Sequence, residues 1–253
     1  MPRPHTEFIQ QQSVEWQTGI VPVDGVATRI LSSDNESGAM TMINRYPAGI
    51  EIGEAYAMDV DKEFFVLEGE MRINDVSYRS GDYAYMPAGY VRHATAFPEE
   101  CKVLTFYGGK TDAPVGELID RICTSDAEWG EASDPNVASA SIRRLVLRPD
   151  TPSGERTWIL RLETDEPFEI RGTERHPCVE EMYLLDGDIH MCTGVMTAGA
   201  YFWRPPHIEH GPTGSRAGFT ALFRAKEGRF ETEWSEPDQA IPWDRPYTPI
   251  LPT

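Results

Sequence analysis

The sequence has little positive charge. Its 23 Lys and Arg stand against 41 Asp and Glu, for a formal net charge of −18. Nucleic acids and anionic membrane surfaces both need a basic face, so neither is an expected partner. Cysteine is also scarce: Cys101, Cys123, Cys178 and Cys192 form no CxxC pair. A chain of 253 residues is long enough to fold without disulfide stapling. No apolar run approaches the roughly 20 residues that span a bilayer as a helix. The opening Met1-Pro2-Arg3-Pro4-His5-Thr6-Glu7 lacks the apolar core of a secretory signal. A cytoplasmic location is the resulting expectation. Long amphipathic helix patterns are missing as well.

What is present is repetition. Leu67-Glu68-Gly69-Glu70 lies 118 residues before Leu185-Asp186-Gly187-Asp188. At the same offset Gly81, Tyr83 and Pro87 match Gly199, Tyr201 and Pro205, with no gap between the two blocks. Short apolar or aromatic runs recur in both halves, such as Phe64-Phe65-Val66-Leu67 and Met182-Tyr183-Leu184-Leu185. Their length and their aromatic and branched residues predict strands. Glu68-Gly69 and Asp186-Gly187 read as hairpin turns. Twenty prolines and 21 glycines punctuate the rest. The expectation is an all-β chain of sandwich or barrel type.

The repeat divides the chain into two domains, residues 1–125 and 143–253. The segment 126–142 has no strand periodicity and is read as the linker. The tail from Glu236 carries five prolines and is too proline-rich for a central strand. Trp243 and Tyr247 suit it to packing on a surface, of this chain or of a second subunit.

Only the second copy keeps metal-binding side chains. Glu174-x-His176-x-x-x-Glu180 precedes its hairpin, and His210 follows in Gly199-x5-Pro205-x-His207-x-x-His210. At the same positions the first copy has Tyr56, Met58, Lys62 and Arg92. A lysine stands where a divalent metal needs an anion, and methionine is a poor ligand for hard or borderline ions. The first half is therefore expected to be structural. In the second, two imidazoles and one carboxylate (His176, His210 and Glu180) form a ligand set that suits Fe(II) with positions open. Mn, Zn or Ni could take the same set. Four residues of extended strand span about 13 Å, so Pro177-Cys178-Val179 must turn the chain for His176 and Glu180 to meet.

These motifs resemble those of the cupin superfamily, G-x5-H-x-H-x(3,4)-E-x6-G followed by G-x5-P-x-G-x2-H. Their recurrence in both halves makes the chain similar to a bicupin, with two tandem jelly-roll β-barrels. The short spacer between His176 and Glu180 resembles that of anti-sigma-factor-type cupins. Glu174 replaces the family's first histidine, and His207 replaces the glycine of the second motif. The resemblance implies metal ligation by His176, Glu180 and His210. Glu174 is either a fourth ligand or a carboxylate that orients a ligand histidine. His207, Arg204 and Tyr201 are candidates for supporting or contacting substrate. Arg161 is a further candidate anchor for an anionic oxygen.

That group of cupins includes dioxygenases that cleave C–C bonds in diketones and hydroxyacetophenones. The implied function is therefore Fe(II)-dependent dioxygenation of a small carbonyl or phenolic compound. Aromatic residues near the site, including Tyr183, Phe202 and Trp203, suit such a ligand. A non-oxidative metal enzyme (isomerase, hydrolase, decarboxylase or lyase) and a non-enzymatic small-ligand sensor remain alternatives. Small-molecule binding and a homodimer are the partner expectations.

Overall fold

The computed structural model describes residues 3–109, 116–132, 142–236 and 238–244. Tyr247 and residues 133–141 of the expected linker lie outside them. The chain is almost entirely β, and it forms two compact units. Among the described residues, no helix is long and apolar enough to cross a membrane.

Each unit is built on the same sheet. In the first, the order is Ile119–Cys123, Asp82–Met86, Lys62–Glu68, Cys101–Tyr107, Met40–Tyr46, Ala27–Ser33 and Gln17–Thr18, all neighbours antiparallel. In the second, it is Thr6–Gln10, Ala200–Arg204, Val179–Met191, Phe219–Lys226, Arg156–Leu162, Ile142–Arg148 and Gly130–Glu131. Smaller antiparallel strands face each sheet, as in a jelly roll.

The two repeat glycines are not the hairpin turns expected: Gly69 links Lys62–Glu68 to Glu70–Ile73, which pair with other strands, and Gly187 lies inside the continuous strand Val179–Met191. Gly69 and Gly187 both take positive φ, at 78° and 82°. A Cβ at either would fall on a backbone carbonyl, that of Glu100 or Gly218. These carbonyls are themselves 118 residues apart, so glycine is required twice by the same contact.

Strand alternation divides side chains between two faces. Lys62, Phe64 and Val66 share one face in the first unit, and Glu180, Met182 and Leu184 share it in the second. Phe64 and Val66, and Met182 and Leu184, belong to the two hydrophobic cores. Fully burying such a side chain stabilises the fold by about 1.5–3 kcal/mol. The alternate positions repeat a polar pair: Tyr83 donates to Glu63 and Tyr201 donates to Glu181, each at 2.7 Å.

The unit boundaries differ from the sequence expectation of 1–125. His5–Ser13 belongs to the second unit. There Thr6–Gln10 pairs along Ala200–Arg204 and buries Phe8 completely. In the first unit, Ile119–Cys123 fills the corresponding edge beside Asp82–Met86. Each edge is thus covered, by different parts of the chain. Gly130–Glu131, inside the expected linker, is an edge strand of the second sheet.

Candidate metal centre

The second unit brings Glu174, His176, Glu180, His210 and Arg204 to one cavity of about 340 Å³. The turn between His176 and Glu180 is present: the strand Thr173–Arg175 ends, Pro177 and Cys178 bend, and Val179 begins the next strand. Glu174 bridges His210 through both backbone amides, at 2.8 and 2.9 Å. Glu180 lies opposite Arg204 across paired strands.

Each histidine is oriented by a backbone carbonyl. His176 Nδ1 lies 3.0 Å from the oxygen of Glu231, and His210 Nδ1 lies 3.0 Å from that of Ile208. A carbonyl only accepts, so Nδ1 carries the proton in both rings. The two Nε2 lone pairs are thereby left for the site. His176 also stacks on Phe230, with centroids 4.0 Å apart.

The donor atoms converge. Glu174, His176 and His210 offer ligand atoms within 4.8 Å of one another. Glu180 Oε1 lies 3.9 Å from His176 Nε2, and its Oε2 lies 3.5 Å from His210 Nε2. His210 Nε2 is 3.7 Å from Glu174 Oε1. Ligands about 2.0–2.2 Å from a shared ion stand roughly 3 to 4.3 Å apart, so this set fits a divalent metal.

Electrostatics favour a deprotonated site. Burial, and then Arg204, hold the His210 imidazole down to about 3. Burial pushes the Glu180 carboxyl up, but His210, His176 and Arg204 together pull it below its ordinary value. Arg204, permanently charged, is the standing counter-charge to Glu180. Its Nη1 donates to Glu180 Oε2 at 3.0 Å, while its Nε is buried without a hydrogen-bond partner. The guanidinium rests on Phe202, 3.7 Å from the centroid.

Other candidates lie elsewhere. Tyr201 points to the opposite face of the sheet, where it bonds Glu181. His207 is exposed and stands at φ 65°. Its amide bonds the carbonyl of His176 at 2.7 Å, as that of Gly89 bonds Met58 at 2.8 Å. It therefore keeps a glycine's backbone role while its ring lies outside the cavity lining. Arg161 stands over Trp129, at 4.2 Å. His190 is buried against Asp188 and Trp243. Of the aromatics expected at the mouth, Phe202 lines the cavity, whereas Tyr183 and Trp203 do not.

Sequence reasoning missed Phe230, Trp158 and Arg156, which also line the cavity. No spacing rule links them to the histidines. They arrive through pairing of the strand Arg156–Leu162 with Phe219–Lys226 and through the loop that follows.

Two jelly-roll units in tandem, the second with converging histidines and carboxylates, define a bicupin. The chain belongs to the ChrR cupin-like domain family, whose description matches residues 4–111 and 120–230. Solved structures with this fold include a "putative dioxygenase" from Nostoc punctiforme. That structure has a TM-score of 0.81 at 18% identity, over 94% of this chain and 88% of the other. A second is the oxalate decarboxylase of Lactobacillus farciminis in a formate complex, with a TM-score of 0.60 at 11% identity, over 90% and 88%. A third, a "putative glyoxylate induced protein" from Pseudomonas aeruginosa, has a TM-score of 0.67 at 12% identity, over 91% and 94%. At these identities the likeness is one of fold. A search of curated sequences found no match.

Proposed function

We propose that this bicupin is a metal-dependent enzyme of dioxygenase type, acting on a small carbonyl or phenolic compound at its second barrel. The observation that carries the reading is the convergence of the His176 and His210 Nε2 atoms with the carboxylates of Glu180 and Glu174. Two imidazoles and a carboxylate are the ligand set of non-haem iron oxygenases. A divalent metal held there supplies Lewis acidity and, as Fe(II), the one-electron chemistry that dioxygen requires.

The chain's own residues do the rest. The carbonyls of Glu231 and Ile208 fix the tautomers of His176 and His210, so both rings are ready as ligands. Arg204 keeps Glu180 ionised and holds its plane. Its unspent Nε suits it to receive an enolate, phenolate or carboxylate oxygen. Phe202, Phe223, Phe230 and Trp158 give the cavity an apolar wall that excludes water from the bound molecule. The neighbour described as a "putative dioxygenase" supports the oxidative reading.

A non-oxidative reaction on an organic anion is the second reading. Arg204 favours it, since a cation beside a metal site selects for anionic substrates, and a neighbouring fold is named an oxalate decarboxylase. Oxygen consumption separates the two. The protein, loaded anaerobically with Fe(II), would be mixed with β-diketones and hydroxyacetophenones in an oxygen electrode. Substrate-dependent uptake that disappears in His176→Ala supports dioxygenation. Turnover of the organic compound without oxygen uptake supports the second reading.

A further inference from the structure

The first barrel repeats the site's backbone with opposite charge. Tyr56 and Arg92 form the same isolated bridge as Glu174 and His210. Lys62 lies opposite Met86 as Glu180 lies opposite Arg204. Lys62 and Arg92 therefore stand where the second barrel has Glu180 and His210. Both are buried, at 8% and 1% exposure.

Lys62 lines a cavity of about 620 Å³, larger than that of the second barrel. The walls are mainly apolar, with Met42, Met71, Ile73 and Phe97 among them, and the exposed Glu54 is the one carboxylate among the described lining residues. Arg92 stands 5.6 Å from the ring centroid of Tyr56, another lining residue. Its Nη1 reaches the carbonyl of Tyr90 at 3.3 Å. Its Nε and Nη2 are buried and have no hydrogen-bond partner. Among the described residues, no carboxylate pairs with either cation. The buried acids nearby are committed: Tyr83 donates to Glu63, and Tyr85 and the Ala88 amide donate to Asp61.

A buried lysine on the cavity wall, close to a buried arginine with two unpartnered nitrogens, is costly without an anion. Mainly apolar walls, with Lys62 the one cation among the described lining residues, fit a singly charged head on an apolar body better than a phosphate. We propose that the first barrel is a metal-free binding site for a small organic monocarboxylate, whose carboxylate sits between Lys62 and Arg92 and whose apolar part packs on Met71, Ile73 and Phe97. A barrel whose sequence had suggested only a scaffold thus becomes a second ligand site. Without ligand, burial and then Arg92 hold the Lys62 amine down to about 7. An anion between the cations raises it, so binding just above that pH takes up a proton.

The test is calorimetric titration of the full chain with benzoate, phenylacetate and hexanoate. It uses metal-stripped His176→Ala/His210→Ala protein, so that the second barrel cannot capture a carboxylate through a metal. One ligand per chain is expected for at least one of the three. At about pH 8 the measured enthalpy should change with the ionisation enthalpy of the buffer, which reports proton uptake. Lys62→Met and Arg92→Met should each weaken binding by about tenfold to a hundredfold, and Lys62→Met should abolish the uptake. Lys62→Met removes a buried cation and keeps the stem, so it should fold, as near-UV circular dichroism would verify. Inorganic phosphate should bind more weakly than the best monocarboxylate. Absence of binding by all three at up to about 10 mM, binding indifferent to both substitutions, or tighter binding of phosphate would each overturn the proposal.

Discussion

Arg204 Nη1 donates to Glu180 Oε2 at 3.0 Å, and that same oxygen lies 3.5 Å from His210 Nε2. Glu180 thus lies between a permanent cation and the histidine nitrogens of the candidate metal centre. Without the metal, Arg204 is its permanent counter-charge.

Removing that counter-charge separates the two roles. Arg204→Leu leaves Glu180 buried and unpaired in the metal-free protein, which should cost about 3–5 kcal/mol of stability. Metal then has no cation to compete with, so its stabilising effect should grow. Thermal melts with and without added Zn²⁺ or Mn²⁺ measure both. A variant with unchanged metal-free stability, or with a smaller metal-induced shift than wild type, would contradict the shared role.

His210 sets an acid limit on the metal-free protein. Its folded pKa, about 3, lies below the ordinary histidine value of 6.5. The unfolded chain therefore binds the extra proton first as pH falls. The contribution to stability is complete above pH 6.5 and is lost as pH falls through that window towards 3. Glu180, also shifted downward, acts in the same direction below its ordinary carboxylate range. The His210 share is up to about 5 kcal/mol. Denaturant titrations of metal-free wild type across this range should show a steep acid loss, and His210→Asn should flatten it. Equal slopes would mean that His210 is not held neutral.

The stack of Phe230 on His176 should matter for metal affinity more than for stability. Phe230→Ala leaves the Nδ1 bond to Glu231 in place but frees the ring to rock. Metal affinity, read by competition with a chromophoric chelator, should fall by about tenfold. Unchanged affinity would show that the carbonyl alone positions the ring.

The two barrels were legible in the sequence because the repeat keeps one offset throughout, although its glycines mark strand irregularities and not hairpin turns. Gly69 and Gly187 are fixed by a contact that recurs with the repeat, and the 118-residue offset carries the strands with them. The site was legible because Glu174, His176 and Glu180 flank one bend and His210 follows one strand end. What stayed hidden depends on strand partners far apart in sequence. Phe230 reaches His176 across 54 residues. Thr6–Gln10 pairs with Ala200–Arg204 across almost the whole chain. Tyr201 was misplaced for a different reason: it is one strand position from Phe202, so pleating sends it to the other face.

The N-terminal strand supplies a further prediction. Phe8 is fully buried in the core of the second unit, and Glu7 lies 3.9 Å from Arg204. Phe8→Ala should cost about 3–5 kcal/mol. Hydrogen exchange should show that loss in Ala200–Arg204 and Val179–Met191, with the strands of the first unit unaffected. Exchange that rises instead in Lys62–Glu68 would assign this strand to the wrong barrel.

Metal content tests the central claim most directly. Wild type and the His176→Ala/His210→Ala variant would be purified anaerobically without chelators and assayed by inductively coupled plasma mass spectrometry. The account predicts about one divalent metal per chain in wild type, iron on the dioxygenase reading, and its loss in the variant. Equal and substoichiometric metal in the two proteins would contradict it.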